Sequence, residues 1–136
     1  MKRVLVYGTF DILHIGHIYF LQDAKKLGDY LIVGLSTDAF NKIKKKEAYS
    51  SYSTRKEMLE ALRCVDQVIP EADWDQKPSD IKEYNIDIIA MGDDWKDSEK
   101  FEKLRELCDV KYIDRRGGMS TTKIKKDLER PQVNPL

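Results

Sequence analysis

Short apolar runs alternate with helical patterns along the whole chain. Val4-Leu5-Val6-Tyr7 reads as a buried strand that Gly8 ends. From about Gly16 to Leu27 the apolar residues Ile18, Leu21, Ala24 and Leu27 recur at three-residue steps, predicting a helix that stops at Gly28. Tyr30 to Leu35 is a second continuous apolar strand, and a polar stretch from Asn41 to Ser53 then breaks the pattern. Thr54-Arg55-Lys56-Glu57 has the form of a capping box, opening a helix with Met58, Leu59 and Leu62 on one side. Val65 to Ile69 predicts a third, weaker strand closed by Pro70. A short helix is expected from Lys77 to about Tyr84, then a fourth strand from Asp87 to Met91 that Gly92 stops. Phe101, Leu104 and Leu107 mark another helix, Val110 to Ile113 a fifth strand, and Ser120 to Leu128 a last helix.

Five strands, apolar on both faces and separated by helices, describe an α/β fold. It is a single-domain, five-stranded parallel Rossmann-like sheet with helices on both faces. The domain is expected over residues 1–130, with a frayed tail over 131–136. Ligands on such sheets bind beyond the carboxyl ends of the strands, where strand order reverses. That rule selects the segments Gly8 to His17, Ser36 to Lys46, Gly92 to Trp95 and Arg115 to Thr122.

The first of these holds both histidines of the protein, His14 and His17, with Gly16 between them. A helical turn puts residues three apart on one face. Three readings of the pair are open. It is incidental, or it supplies two zinc ligands, or it donates to a phosphate at a helix N-terminus. The zinc reading lacks a third histidine and a nearby cysteine. Position at the end of the first strand favours phosphate.

In the last segment Arg115, Arg116, Gly117, Gly118 and Met119 lead through Ser120, Thr121 and Thr122 into a helix. A capped turn accounts for the hydroxyls and glycines, while the arginines favour a second anion cradle. Neither a Walker loop nor GxGxxG is present. Lys42, Lys44, Lys45 and Lys46 form a basic run that is a solvated loop or part of the binding edge. Lys77, Arg55 and Arg63 could add to the same field, the two arginines being read onto one helix. Gly92-Asp93-Asp94-Trp95 is a turn with a half-buried indole or a contact for a nucleoside.

Composition narrows the partners. The 136 residues carry 24 Lys plus Arg and 24 Asp plus Glu, so the net charge is zero although 35% of the chain is charged. A generally basic nucleic-acid binder would show a cationic excess. Hydrophobic residues at 41% fill one core, and no apolar run approaches the roughly 18–20 residues of a membrane span. Gly8 and Asp11 interrupt the N-terminal apolar run too early for a secretory leader, and Cys64 and Cys108 read as reduced thiols. A cytoplasmic protein without nucleic acid or membrane insertion is expected. The cations gather on the binding edge, whereas Glu71, Asp73, Asp75, Glu99, Glu102 and Glu106 are assigned to outer helices and loops.

The joined pattern is more specific than its parts. Tyr7-Gly8-Thr9-Phe10-Asp11 followed by His14-Ile15-Gly16-His17 resembles the HxGH nucleotidyltransferase superfamily. Class I aminoacyl-tRNA synthetases share that string but are far longer. Gly28-Asp29-Tyr30, Leu35-Ser36-Thr37-Asp38, Arg63-Cys64-Val65-Asp66, Met91-Gly92-Asp93-Asp94-Trp95 and Ser120-Thr121-Thr122-Lys123-Ile124 narrow the resemblance to bacterial glycerol-3-phosphate cytidylyltransferases, from about Lys2 to Leu128. The resemblance implies a homodimeric, Mg²⁺-using enzyme that makes CDP-glycerol from CTP and glycerol 3-phosphate for wall teichoic acid.

It further implies that Thr9, Phe10, His14 and His17 hold CTP, with His14 and His17 catalytic. Lys46 and the segment Arg115, Arg116, Gly117, Gly118, Met119, Ser120, Thr121 and Thr122 would hold the triphosphate. Lys44 and Lys77 would meet the acceptor phosphate, and Arg63 and Asp94 would lie around the nucleotide; no residue is assigned to a metal. The chain departs from the usual run at Arg116 and Gly117, which replace Thr and Glu, at Cys64 in place of Tyr, and at Gln67 in place of Glu. Another acceptor, such as ribitol, ethanolamine or choline phosphate, or a regulatory nucleotide-binding module without turnover, are the alternative readings.

Overall fold

The computed structural model describes residues 1–129; the expected frayed tail over 131–136 lies outside the described residues. Five parallel strands form one sheet in the order β3-β2-β1-β4-β5. They are β1 Arg3–Gly8, β2 Tyr30–Ser36, β3 Gln67–Glu71, β4 Ile88–Gly92 and β5 Asp109–Ile113. Between them run α1 Ile15–Lys25, α2 Asp38–Ile43, α3 Tyr52–Glu60, α4 Lys77–Glu83 and α5 Glu99–Glu102, and α6 Thr121–Leu128 follows β5. Single 3₁₀ turns occupy Asp93–Trp95 and Lys103–Glu106.

The alternation of strand side chains builds two cores. Val4, Val6, Leu31, Val33, Leu35, Ile88 and Ala90 face Leu21 and Ala24 of α1 and Leu59 of α3. Leu5, Ile32, Ile89 and Met91 face the other way, onto Ile81 of α4 and Leu104. Helices therefore cover both faces, and both-face burial is why the strands read as unbroken apolar runs. The order of strands reverses between β1 and β4, which pair through Val4–Ile88 and Leu5–Ile89. Side chains beyond the carboxyl ends of those two strands are splayed apart, leaving a crevice.

Four local expectations are corrected. The stretch read as polar from Asn41 contains the end of α2, which buries Phe40 and Asn41. The Thr54 capping box does not form; α3 starts three residues earlier, with Ser51 as its cap accepting from the Thr54 amide. Pro70 does not close β3 but sits inside it, because β3 is an edge strand and a missing N–H costs nothing on its free side. The helix around Phe101 to Leu107 is a short α5 followed by a 3₁₀ turn.

Gly34 lies beside Tyr7 across the β1–β2 ladder. A Cβ at Gly34 would overlap the Tyr7 ring. That ring cannot yield, since its hydroxyl donates to Asp80 at 2.6 Å and the Lys77 ammonium lies 4.6 Å from its centre. Gly34→Ala is therefore expected to lower stability by about 1–3 kcal/mol, the range for overpacking a fixed core. Urea denaturation measures this, and a variant as stable as the parent would show that the ring has room to move.

Candidate active site

The chain leaves β1 in a strained conformation. Phe10 has φ +48° and Ile12 +49°, in the left-handed region that bulky and β-branched residues avoid. Each such residue costs about 1–3 kcal/mol and persists only where its surroundings fix it. Asp11, between them, supplies the fixing. Its buried carboxylate accepts from the amides of Tyr49 at 2.6 Å and Ser50 at 3.0 Å, and pairs with the Lys125 ammonium at 3.1 Å. Its carbonyl accepts from the Thr121 hydroxyl at 2.7 Å. Burial alone would raise the Asp11 pKa, but the two amides and Lys125 hold it below the ordinary carboxylate value. One residue thus ties the lysine-rich loop and α6 to the segment after β1.

That segment ends by capping α1 with histidine. The Gly16 amide donates to His14 Nδ1 at 3.1 Å, and the His14 amide donates to His17 Nδ1 at 3.4 Å. An Nδ1 that accepts carries no proton, so the neutral rings bear theirs on Nε2. The rings stack with centroids 3.8 Å apart, and Phe10 lies edge-on to His17 at 5.4 Å. Burial lowers the pKa of His14, and burial together with His14 lowers that of His17 to about 4. The pair is neutral at pH 7 and presents two fixed N–H donors.

The opposite wall is the loop before α6. Ser120 caps that helix by accepting from the Lys123 amide at 3.0 Å. Gly117, at φ +101°, lies against the Tyr19 ring, where a Cβ would crowd it. Arg116 stacks on Tyr19 at 4.0 Å and makes two bonds to Asp23, at 2.8 and 3.0 Å. Arg116 and Gly117 thus form a unit: the cation is paired to α1, and the glycine lets the loop pass the ring on which Arg116 stacks. Arg115 pairs with Asp94 at 2.5 Å.

Together these walls enclose a cleft of about 580 Å³ at the β1/β4 switch point. Of the residues expected in the site, Thr9, Phe10, His14, His17, Asp94, Arg115, Arg116, Gly118, Met119, Ser120 and Thr121 line it. Gly117 shapes its wall, and Thr122 follows within α6. Lys46 instead lines an adjoining cleft of about 220 Å³ with Asp38, Asn41 and Lys42. Neither Lys44 nor Lys77 lines this cleft: Lys77 is buried against Tyr7, whose ring does line it, and Lys44 donates to Ser36. Arg63 is not on a helix with Arg55. It is exposed in the turn that leads into β3, at the amino end of the sheet, away from this chain's cleft.

Several residues escaped the sequence reading. Arg55 is 1% exposed, so it holds the site together and adds nothing to its surface field. Glu71 is not an outer acid but a buried one, facing Lys77 and Ser36. Asn41 accepts from Thr9 at 3.2 Å, and Tyr7, Phe20 and Asp114 add to the lining. Tyr7 offered a signal as the last aromatic of the first strand, and Trp95, read in the sequence as a half-buried indole or a nucleoside contact, also lines the cleft.

The comparisons with known proteins agree with this geometry. The family described as cytidylyltransferase-like matches residues 5–131. The glycerol-3-phosphate cytidylyltransferase of Bacillus subtilis (strain 168) is 56% identical over 128 residues, covering 94% of this chain and 98% of the relative. The enzyme of the same name from Staphylococcus aureus (strain NCTC 8325 / PS 47) is 52% identical over 128 residues, covering 94% and 96%. Among solved structures, the lipopolysaccharide core biosynthesis protein of Thermoplasma volcanium GSS1 superimposes with a TM-score of 0.76. It is 32% identical, with 86% of this chain and 99% of that one covered.

The neutral histidines set a pH dependence. His17 binds a proton near the ordinary histidine value of 6.5 when unfolded but only at about 4 when folded. The unfolded chain therefore binds more protons between those values, and stability falls as pH drops from 6.5 towards 4. Asp11, depressed in the fold, adds a further loss as pH falls below 3.8. An NMR titration should place the His17 midpoint near 4 with Nε2 protonated above it; a midpoint near 6.5 would contradict the capped, desolvated pair.

Proposed function

The chain belongs to the cytidylyltransferase-like family. From that premise we propose that it transfers the cytidylyl group of CTP to sn-glycerol 3-phosphate, giving CDP-glycerol and pyrophosphate, for wall teichoic acid in the cytoplasm. The relatives support this choice of substrates. The observation that carries the chemistry is the capped histidine pair, two neutral N–H donors on the wall of a cleft otherwise built from an arginine-bearing loop and a helix N-terminus.

A phosphomonoester has its second pKa near ~6, so at neutral pH its oxygen attacks without a general base. The barrier is repulsion between that dianion and the triphosphate. His14 and His17 donate from Nε2 to the α-phosphoryl oxygens, where negative charge builds during in-line displacement. Neutral donors suit this step, because a fixed N–H dipole needs no proton transfer. Arg115 and the Ser120-capped start of α6 receive the departing pyrophosphate. Lys44 and Lys77 take the acceptor phosphate on the other side of Tyr7.

Mg²⁺ belongs to this proposal as the counter-ion that CTP brings. Among the described residues no group of three or more His, Cys, Asp or Glu converges to hold a metal. Asp94 and Asp114 are the carboxylates on the cleft wall that would face such an ion. Bound there, it supplies charge neutralisation. A homodimer is also proposed: Arg63 reaches a nucleotide only in the cleft of a second copy, and a monomer in sedimentation equilibrium would overturn this.

Pyrophosphate release with CTP and a panel of alcohol phosphates tests the substrate. Release is expected with glycerol 3-phosphate ahead of ribitol, ethanolamine and choline phosphates; preference for another acceptor, or none, overturns the assignment. His14→Ala and His17→Ala are each expected to lower kcat by about 10²–10⁴-fold. Normal turnover by either variant would remove the histidines from the mechanism.

A further inference from the structure

Glu71 ends β3 with its carboxylate buried, 5% exposed, and no step above uses it. Its two oxygens face two different lysines. Oε2 lies 3.4 Å from the Lys77 ammonium. Oε1 accepts from the Ser36 hydroxyl at 3.0 Å, and the Ser36 oxygen in turn accepts from Lys44 at 2.7 Å. Ser36 has one proton, and Glu71 takes it. The chain Lys44 to Ser36 to Glu71 is therefore ordered, with an ammonium at one end and a carboxylate at the other.

Aromatic rings strip water from both lysines. Lys77 lies over Tyr7 at 4.6 Å and Phe101 at 5.6 Å, and Lys44 over Phe40 at 4.8 Å. Two desolvated cations repel one another unless an anion is shared between them. Burial lowers the Lys44 pKa; Glu71 opposes that, while Lys46, Lys77 and Arg55 add to it. Asp80 accepts from the Tyr7 hydroxyl behind Lys77, and Lys100 lies over Trp74, which packs on the Phe40 ring beside Lys44.

We propose that Glu71 is a positioning residue for the acceptor phosphate: one buried carboxylate, reaching Lys77 directly and Lys44 through Ser36, holds two charged ammoniums together beside the Tyr7 wall of the cleft. An incoming dianion meets cations already ordered, so less side-chain entropy is lost on binding. The inference rests on the assignment of Lys44 and Lys77 to the acceptor.

Steady-state kinetics with CTP and glycerol 3-phosphate varied separately test both levels. Glu71→Gln keeps shape but loses charge, and should raise the acceptor KM about 10- to 100-fold, the worth of a charged hydrogen bond, while the KM for CTP stays unchanged. The alkaline limb of acceptor kcat/KM should move to lower pH in that variant. Ser36→Ala should raise the acceptor KM by a smaller factor. If Lys44→Ala and Lys77→Ala raise the acceptor KM but Glu71→Gln and Ser36→Ala leave it and the pH limb untouched, the role of Glu71 is overturned and the acceptor assignment stands. If the lysine variants themselves leave the acceptor KM unchanged, the assignment falls with it. Should Glu71→Gln fail to fold, Ser36→Ala decides, and a parental acceptor KM in it overturns the proposal.

Discussion

The site depends on one buried guanidinium. Arg55, from α3, donates to the carbonyls of Thr9 at 2.9 Å, Ser36 at 2.8 Å and Ser50 at 2.9 Å, and to the Asp38 carboxylate at 2.8 Å. Those acceptors belong to the chain just after β1, the end of β2, the lysine-bearing loop and α2. Strand ends are where backbone groups run out of ladder partners. A planar fork of donors satisfies three such carbonyls at once and fixes the angles at which the segments leave the sheet. Burying a charge this deeply is costly unless it is paired and hydrogen-bonded, and here the donors are matched.

What the clamp organises is a set of strained or desolvated groups. Phe10 and Ile12 hold positive φ because Asp11 is fixed by the loop that Arg55 also grips at Ser50. The histidines are neutral because burial, and for His17 also the neighbouring His14, disfavours their charged forms. Lys44 and Lys77, the lysines proposed for the acceptor, are joined through Ser36 and Glu71, and Arg55 holds the Ser36 carbonyl. Folding thus places cations and donors where two highly charged phosphates must approach, and the zero net charge of the chain hides that sorting.

The sheet was legible in the sequence because strands buried on both faces read as continuous apolar runs, and the switch point follows from parallel topology. The histidine pair and the loop before α6 were legible because glycines and cap residues mark a turn wherever it falls. Buried charge was not. Arg55, Asp11 and Glu71 look like surface residues, since their partners lie far off in sequence: Thr9 is 46 positions from Arg55 and Ser36 is 35 from Glu71. α2 was missed because six residues between polar neighbours carry too little periodicity, and Pro70 misled because edge position is a property of the sheet and not of the strand. Lys46 and Arg63 show the converse: membership of a basic run or a motif does not say which cleft, or which end of the sheet, a side chain reaches.

The claim that Arg55 shapes a cleft it does not line is tested most directly by CTP affinity in Arg55→Lys. Lysine keeps the charge but cannot reach the four acceptors together. Calorimetry should show a folded protein, less stable by about 3 kcal/mol from unpaired carbonyls, that binds CTP at least about tenfold more weakly. Parental affinity and stability in that variant would contradict the account.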